Sequence, residues 1–385
     1  MSKVYILAGL RTPIATKNNR FKHIPAEDLG AVVVNSLWQK YLFNEKPDGI
    51  IAGNAVGTGG NIARLMTLKA GLPAAVPAFT IDMQCASGAA AIAAGYKEIA
   101  LGNGDVFICG GMESSSLQPE RIYSKGDARY AQTANGDGRY MTAQFSPDEF
   151  AEDAMLKGAD RVIKSYKITK NELDFWCIES HRRATACAKA GILDDVIVAV
   201  ANQRTDDGIR PKMSQRLLDR LPSLLSENSL LNAGNTCLIN DGAAFVVLVS
   251  DRWLKKHQRI PQGEILGTCM AGSKPSESPL GAMNTADKLL EKHGLLYNDL
   301  DAIEFNEAFA AIDVLFQRSH PELIERYNIL GGALAYGHPY GASGGILMIH
   351  LLKALEKNNG ALGLLSIAGA GGMGQAILVR RFRAC

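Results

Sequence analysis

The sequence predicts an α/β protein built from two similar halves. Short β-branched or apolar runs alternate with helical patterns through the first 117 residues and again from residue 263 onward. This alternation is typical of a sheet covered by helices. A chain of 385 residues is also longer than one hydrophobic core usually accommodates, so more than one compact unit is expected.

The elements of each half follow from these patterns. In the first half we predict a helix over 29–42 and strands over 4–8, 49–53, 79–83 and 106–110. In the second half we predict a helix over 344–357 and strands over 263–267, 300–305, 361–367 and 376–379.

The two halves share an order of motifs. Cys85-Ala86-Ser87-Gly88 opens a helix of small residues, and a strand ending in Cys109-Gly110-Gly111 follows it. His338-Pro339-Tyr340-Gly341-Ala342-Ser343-Gly344 opens a second helix, and a strand ending in Gly371-Gly372-Met373-Gly374 follows that one. We interpret the repeat as an internal duplication, although chance similarity in a glycine-rich α/β chain is the alternative.

The stretch between the halves is more polar and more helical, with candidate helices over 148–166, 170–190 and 214–225. Long insertions in α/β enzymes usually cover the active site, although a structural or dimer-stabilising role is the alternative. The predicted domains are an N-terminal half over 1–117 plus about 232–262, an inserted cap over 118–231, and a C-terminal half over 263–385.

Composition excludes several function classes. The chain has 41 basic and 39 acidic side chains and no block of like charge, so nucleic-acid binding is not expected. It has no run of about 18 apolar residues and no signal-like N-terminus, so we expect a cytoplasmic protein without membrane insertion. The seven cysteines form no CxxC pair, which argues against both a disulfide framework and a metal site.

Cys85 is the candidate nucleophile. It follows a predicted strand and precedes a helix rich in alanine and glycine, which places the thiol at a helix N-terminus. There the helix dipole and the free backbone amides are expected to lower the thiol pKa and to stabilise an oxyanion. A buried, inert cysteine is the alternative.

Two further side chains are candidates for the same site. His338 lies in a glycine-rich loop just before a helix, where an imidazole can act as general base toward a thiol, or can simply cap the loop. Asn306 ends a predicted strand, where open α/β sheets present ligand-facing groups, although it can equally be a helix cap.

Taken together, these segments resemble the thiolase family over essentially the whole chain. The resemblance rests on the order and spacing of several motifs: Cys85-Ala86-Ser87-Gly88, Gly110-Gly111-Met112-Glu113-Ser114, Ala233-Gly234-Asn235, Asn240-Asp241-Gly242-Ala243-Ala244, Asn306-Glu307-Ala308-Phe309, Gly337-His338-Pro339 and Gly341-Ala342-Ser343-Gly344.

The resemblance implies a fold, an activity and an assembly. The fold is thiolase-like, with two similar five-layer α/β/α/β/α halves and an inserted loop domain. The activity is ping-pong acyl transfer in which Cys85 is acylated, His338 activates it, and Asn306 holds a water that completes an oxyanion hole. The substrates are CoA and acyl-CoA, with no tightly bound cofactor. The working form is a homodimer or homotetramer, and enzymes of fatty-acid oxidation are possible partners.

The resemblance also implies contacts to CoA. The matching positions are Met155, Arg210, Ala233, Cys237 and Phe309. A pantetheine channel needs neutral, narrow walls and the phosphates need one or two cations, so this set is physically reasonable. Arg210 as an ordinary surface arginine remains the alternative.

The sequence departs from the family near its C-terminus. Thiolases usually carry a second cysteine that moves a proton to and from the substrate methyl group, and Ala368 stands at that position here. Because alanine has no titratable group, the departure questions carbon–carbon bond formation but not acylation of Cys85. Cys237 is a conceivable substitute, although packing beside pantetheine also accounts for it.

Three functions are therefore open. The first is an acetyl-CoA acetyltransferase or 3-ketoacyl-CoA thiolase, and the second is an acyltransferase to another acceptor that forms no carbon–carbon bond. The third is a catalytically silent homologue that binds CoA. Retention of Cys85, Asn306 and His338 together argues against the third function.

Overall fold

A computed structural model of the chain describes residues 2–147 and 153–382. Within these ranges the strands are β1 (Val4–Arg11), β2 (Ala15–Thr16), β3 (Gly49–Gly53), β4 (Ala78–Ile81), β5 (Val106–Ser114), β6 (Arg121–Ile122), β7 (Arg139–Tyr140), β8 (Asn240–Ser250), β9 (Gly263–Gly272), β10 (Ala302–Phe305), β11 (Leu362–Gly369) and β12 (Met373–Arg381).

The α-helices of the same ranges are α1 (Ala26–Leu42), α2 (Ile62–Lys69), α3 (Ser87–Leu101), α4 (Ala154–Ser165), α5 (Lys170–Lys189), α6 (Gln215–Leu218), α7 (Asp251–His257), α8 (Gly281–His293), α9 (Ala310–Ser319), α10 (Ala333–Tyr336) and α11 (Ser343–Lys357). The first residues of the helix predicted over 148–166 lie outside the described residues. Among the described helices, none is both long and apolar enough to cross a membrane.

One sheet joins the two halves of the chain. Its strands follow the order β10-β11-β12-β9-β1-β8-β5-β3-β4, and β2 pairs with β8. The two halves meet where β1 runs antiparallel to β9. Each half then repeats one arrangement, since β8–β5 and β12–β11 are antiparallel whereas β5–β3 and β11–β10 are parallel.

Helices lie outside and between the two halves of this sheet, in an α/β/α/β/α order of layers. Helices α1 and α2 share one outer core with the first half, and α8 and α9 share another with the second half. Between them, α3 and α11 belong to a central core that contacts strands of both halves. The predicted α/β class is confirmed.

The central layer depends on small residues where α3 meets α11. Every residue of α11 from Ser343 to Leu352 is buried, as expected for a helix with apolar contacts all round. A Cβ added at Gly344 would lie 2.7 Å from the Cα of Ala89 and closer still to its backbone nitrogen. Only glycine at this position lets the two helix N-termini approach so closely.

One predicted element is much shorter than expected. The pattern over 214–225 predicts a helix, but α6 ends at Leu218. Pro222 lies inside the predicted range, and its ring cannot be accommodated in a helix interior. The chain instead turns, and the amide of Leu224 donates to the carbonyl of Leu231 at 2.9 Å.

The contact between α3 and α11 gives a stability prediction. Gly344→Ala should lower the free energy of unfolding by about 3 kcal/mol, because overpacking forces two buried backbones apart. Guanidinium unfolding measures the change. Gly272→Ala is the matched control, since a Cβ there meets no atom within 4 Å. Equal stability of the two variants would contradict the packing argument.

Candidate active site

A tight turn between β4 and α3 positions Cys85. Gln84 has a φ of 53°, in the left-handed region that residues other than glycine seldom adopt. The hydroxyl of Ser87 stabilises the turn, because it accepts from the amide of Met83 at 2.8 Å and donates to the carbonyl of Gln84 at 2.6 Å. Cys85 therefore stands two residues before the first residue of α3, with its side chain half-buried.

Burial dominates the electrostatics of this thiol. It raises the pKa of Cys85 to about 12, while hydrogen bonds from the backbone amides of Cys85 and Ala370 act in the opposite direction. The expectation that the helix N-terminus lowers this pKa is therefore wrong, because loss of water outweighs it. The thiol is protonated at neutral pH and needs a base.

The loop before α11 holds His338 in one position. Gly337 has a φ of 101°, and a Cβ there would collide with the side chain of Asn240. The amide of His338 donates to the carbonyl of Leu238 at 3.1 Å and to Oδ1 of Asn240 at 3.0 Å. These two contacts fix the backbone of His338, from which the imidazole extends.

The neighbours of His338 select its tautomer. Ser343 Oγ donates to the carbonyl of Pro339 at 3.0 Å, so it accepts the proton of His338 Nδ1 across 2.6 Å. Nε2 then carries the lone pair and lies 3.4 Å from Nδ2 of Asn306. Burial lowers the pKa of His338 to about 3, so the ring is neutral and can accept a proton.

Asn306 reaches His338 from the second half of the sheet. It follows β10 directly, and its amide donates to the carbonyl of Ser366 at 3.1 Å. This is the carboxyl end of a parallel strand, as the sequence predicted. Its side chain is buried against the imidazole rather than capping α9, which begins four residues later.

Cys85 and His338 converge because the N-termini of α3 and α11 meet. A Cβ added at Gly88 would lie 2.7 Å from the carbonyl oxygen of Gly341, which links the two helix starts directly. Tyr340 lies beside both candidates: its ring centroid is 5.0 Å from that of His338, and the charge of Cys85 is among the causes that raise its pKa. The two halves therefore contribute the thiol and the imidazole to one site.

Two alanines lie in the C-terminal segment facing Cys85. Ala370 does not have a positive φ, so its Cβ introduces no backbone strain, and its amide is free to bind the sulfur of Cys85. Ala368 pairs with Gly374 in the ladder between β11 and β12 and is buried. No proton can be exchanged at that side chain.

Four of the five residues proposed to contact CoA have the following positions. Burial raises the pKa of Cys237, and the nearby Cys85 raises it further. The amide of Cys237 donates to the carbonyl of Ala308 at 3.0 Å. Phe309 is buried and pairs with Thr236 in an isolated bridge. Ala233 is exposed, and Met155 is half-buried on α4.

Arg210 lies in a separate surface cleft. The cleft has a volume of about 370 Å³, and the other predicted site residues are not part of its lining, which consists of Ile178, Arg182, Thr185, Ala186, Lys189, Arg210, Pro211 and Met213. The backbone amide of Arg210 donates to Nδ1 of His181 at 3.1 Å. Three cationic side chains thus surround one concave surface on the inserted segment.

Sequence reasoning missed two residues that hold this site together. Ser343 belongs to the motif Gly341-Ala342-Ser343-Gly344, but its contact with His338, five positions earlier in the chain, was not predicted. Glu113 is fully buried and accepts from the amides of Gly341 at 2.9 Å and Ala55 at 3.0 Å. Burial raises the pKa of Glu113 to about 7. The signal available in the sequence was an acidic residue, Glu113, within a glycine-rich apolar strand.

Comparison with known proteins identifies the family of the chain. Two family models match it, "Thiolase, N-terminal domain" over residues 4–252 and "Thiolase, C-terminal domain" over residues 260–381. A "Probable acetyl-CoA acyltransferase" of Staphylococcus aureus is 32% identical over 396 residues, covering 100% of both chains.

Solved structures agree with these matches. The acetyl-CoA acetyltransferase of Bacillus anthracis has a TM-score of 0.89 and 26% identity, with 99% of each chain covered. Human mitochondrial 3-ketoacyl-CoA thiolase in complex with CoA has a TM-score of 0.90 and 28% identity, with 99% of this chain and 98% of that chain covered. The predicted thiolase-like fold is confirmed, and the chain belongs to the thiolase family of acyltransferases.

Proposed function

We propose that the protein transfers acyl groups between CoA thioesters through an acyl-Cys85 intermediate. One observation carries the proposal: a thiol bound by two backbone amides lies at the same helix junction as a neutral imidazole with its Nε2 lone pair available. A nucleophile, a base and hydrogen-bond donors for a developing negative charge are the requirements of nucleophilic acyl transfer.

The acylation step follows from this geometry. Cys85 attacks the thioester carbonyl while Nε2 of His338 removes the thiol proton, and the imidazolium returns that proton to the departing CoA thiolate. The amides of Cys85 and Ala370 then stabilise the carbonyl oxygen as it becomes negative. Because both partners start neutral, proton transfer and attack are expected to be coupled.

The second oxyanion site would use Asn306 and His338. Their side chains lie 3.4 Å apart, and both can donate to a water or to a substrate oxygen once the imidazole is protonated. The family resemblance assigns this pair the role of holding a water. Burial of both side chains supports it, since a donor in a dry site acts more strongly than one in water.

CoA and acyl-CoA are the proposed substrates, with Met155, Arg210, Ala233, Cys237 and Phe309 as CoA contacts. Support comes from the names of the relatives, one of which was solved with CoA bound. The cleft around Arg210 adds Arg182 and Lys189 as cations suited to phosphate groups. No tightly bound cofactor is required for this chemistry.

A homodimer or homotetramer is the proposed working form. Strand β4 lies at one edge of the large sheet, and Phe79 on it is 47% exposed. An unprotected edge strand with an exposed aromatic side chain is a natural place for another strand to pair. A second copy of this chain is the partner we propose there.

Acyl transfer to a different acceptor is the second candidate function. It is favoured by Ala368, which removes the proton-transfer group that the family resemblance associates with carbon–carbon bond formation. Acylation of Cys85 is common to both candidates, so it is the step to test first.

Intact-protein mass spectrometry tests the acylation. Incubation with acetyl-CoA should add one acetyl group to the wild-type chain, and free CoA should remove it. Cys85→Ala should remain unmodified, whereas Cys269→Ala should be acetylated like the wild type, because Cys269 lies on β9 outside the site. A folded protein that gains no Cys85-dependent adduct from acetyl-CoA or acetoacetyl-CoA would favour the silent homologue instead.

Ser343→Ala tests the orientation of His338. Without the hydroxyl, Nδ1 loses its acceptor at 2.6 Å, and the tautomer with a lone pair on Nε2 is no longer selected. The rate of Cys85 acetylation should fall by about tenfold or more, because a correctly placed general base contributes at least that factor. Ser366→Ala is the matched control, since this equally buried serine donates to the carbonyl of Ala282. Equal rates in both variants would exclude a role for Ser343.

Ala368→Cys tests the missing proton-transfer group. If a thiol at this position permits condensation, the variant should form acetoacetyl-CoA from acetyl-CoA faster than the wild type, while the acetylation of Cys85 changes little. Ala368→Ser is the control, because a hydroxyl is close in size but does not titrate near neutral pH. Wild-type protein that already condenses as fast as the variant would show that another group does this work.

A further inference from the structure

A small cavity is lined in part by Asn306 and Ser343, the two side chains that contact the imidazole of His338. Its volume is about 20 Å³, and its polar lining comes from Glu304, Asn306, Tyr336, Ser343 and His350. The elements around it are β10, α10 and α11. The cavity therefore adjoins the candidate active site through Asn306 and Ser343, while Glu304, Tyr336 and His350 have no part in the proposed acyl transfer.

Two of these side chains have buried polar atoms without a hydrogen-bond partner among the described residues. Glu304 is 1% exposed, and neither of its carboxylate oxygens has a hydrogen-bond partner among the described residues. His350 is also 1% exposed, and its Nε2 is unpartnered in the same part of the chain. Native proteins pair nearly all buried polar groups, so two such groups on one cavity indicate a function or a bound polar molecule.

Two of the side chains that line the cavity also contact His338, the candidate base. Ser343 lies 2.6 Å from Nδ1 of His338, and Asn306 lies 3.4 Å from Nε2. Both side chains also line the cavity. One side chain therefore separates each ring nitrogen of His338 from any group that changes charge inside the cavity.

We propose that Glu304 and His350 bind a water molecule in this cavity, and that Glu304 is a positioning residue which sets the basicity of His338 through that water and Ser343. A water needs roughly 10–15 Å³ of such space and two to four polar partners. The cavity meets both conditions. This inference rests on the proposed function of His338 as the base for Cys85.

The charged and titratable groups facing Glu304 are Glu307, Arg183, Cys187 and Tyr327. Arg183 is paired with Glu179 at 2.6 Å. Those facing His350 are Arg11 and Tyr336, and Arg11 is paired with Asp206 at 2.8 Å. No cation is thus left over to balance a carboxylate at Glu304 within this set.

Glu304 consequently keeps its proton to unusually high pH. Burial raises the pKa of Glu304 well above its ordinary value, and the charge of Glu307 raises it further. When Glu304 finally ionises, its negative charge favours the imidazolium form of His338 and makes Nε2 a stronger base. The Glu304-dependent part of the reactivity of Cys85 should therefore increase as pH rises.

Alkylation of Cys85 by iodoacetamide, followed by mass spectrometry from about pH 6 to about pH 9, tests the inference. The rate of the wild type relative to that of Glu304→Gln should rise with pH over this range, by up to about tenfold, as a shift of one pKa unit in the base would give. Asp313→Asn is the matched control, because this buried acid accepts from Tyr327 at 2.8 Å and does not line the cavity. Identical profiles for wild type and Glu304→Gln would overturn the inference.

Thermal unfolding supplies a measurement that needs no reactivity. A buried acid with a raised pKa binds a proton in the folded state that the unfolded chain has released, so the wild type loses stability as pH rises above the ordinary range of a glutamate. Glu304→Gln should therefore gain stability relative to the wild type between pH 5 and pH 8. A pH-independent difference in Tm between the two proteins would contradict the titration of Glu304.

His350→Leu provides a second variant if Glu304→Gln does not fold. Removing the imidazole takes away one partner of the bound water, so the ionisation of Glu304 should move to higher pH and the alkylation profile should move with it. An unchanged profile would overturn the inference. Alkylation requires no acyl-CoA, so a protein that shows the Glu304 effect but no acetyl adduct would contradict the proposed function alone.

Discussion

The close approach of two helix N-termini is the constraint on which the rest of the structure depends. Because Gly344 has no side chain, the backbone of Ala89 can approach it closely. The carbonyl of Gly341 approaches Gly88 for the same reason. Because α3 belongs to one half and α11 to the other, this contact is what turns two repeated units into one site. In the proposed site, the thiol of Cys85 and the imidazole of His338 lie near the N-terminal ends of these two packed helices.

Burial at that junction determines the protonation states. It raises the pKa of the thiol and lowers that of the imidazole, so the ground state has no charge on either group. A neutral pair costs little to hold in a dry site, whereas an isolated thiolate there would be expensive. In the proposed reaction, the two amides and the ring stabilise charge as it develops, which is how a site favours the transition state over the resting state.

Sequence patterns predicted most of the strands and long helices within a few residues, since periodicity and glycine placement report local geometry, but they did not predict β8 or α8. The helices predicted over 29–42 and 170–190, for example, correspond to α1 and α5. What the patterns could not give was the balance between burial and dipole at Cys85. Nor could they reveal that Glu304 has no hydrogen-bond partner among the described residues, because this depends on three elements that are distant in sequence.

The position of Glu304 follows from that of Asn306. Residues two apart in an extended chain face the same side, so directing Asn306 toward His338 also directs Glu304 inward. An apolar side chain at 304 would satisfy packing without leaving carboxylate oxygens unpaired. A buried acid is less favourable for folding than such a residue. Its position beside the proposed base gives the site a means of adjusting the basicity of His338. The strand thus presents to one histidine both a fixed donor and a titrating group.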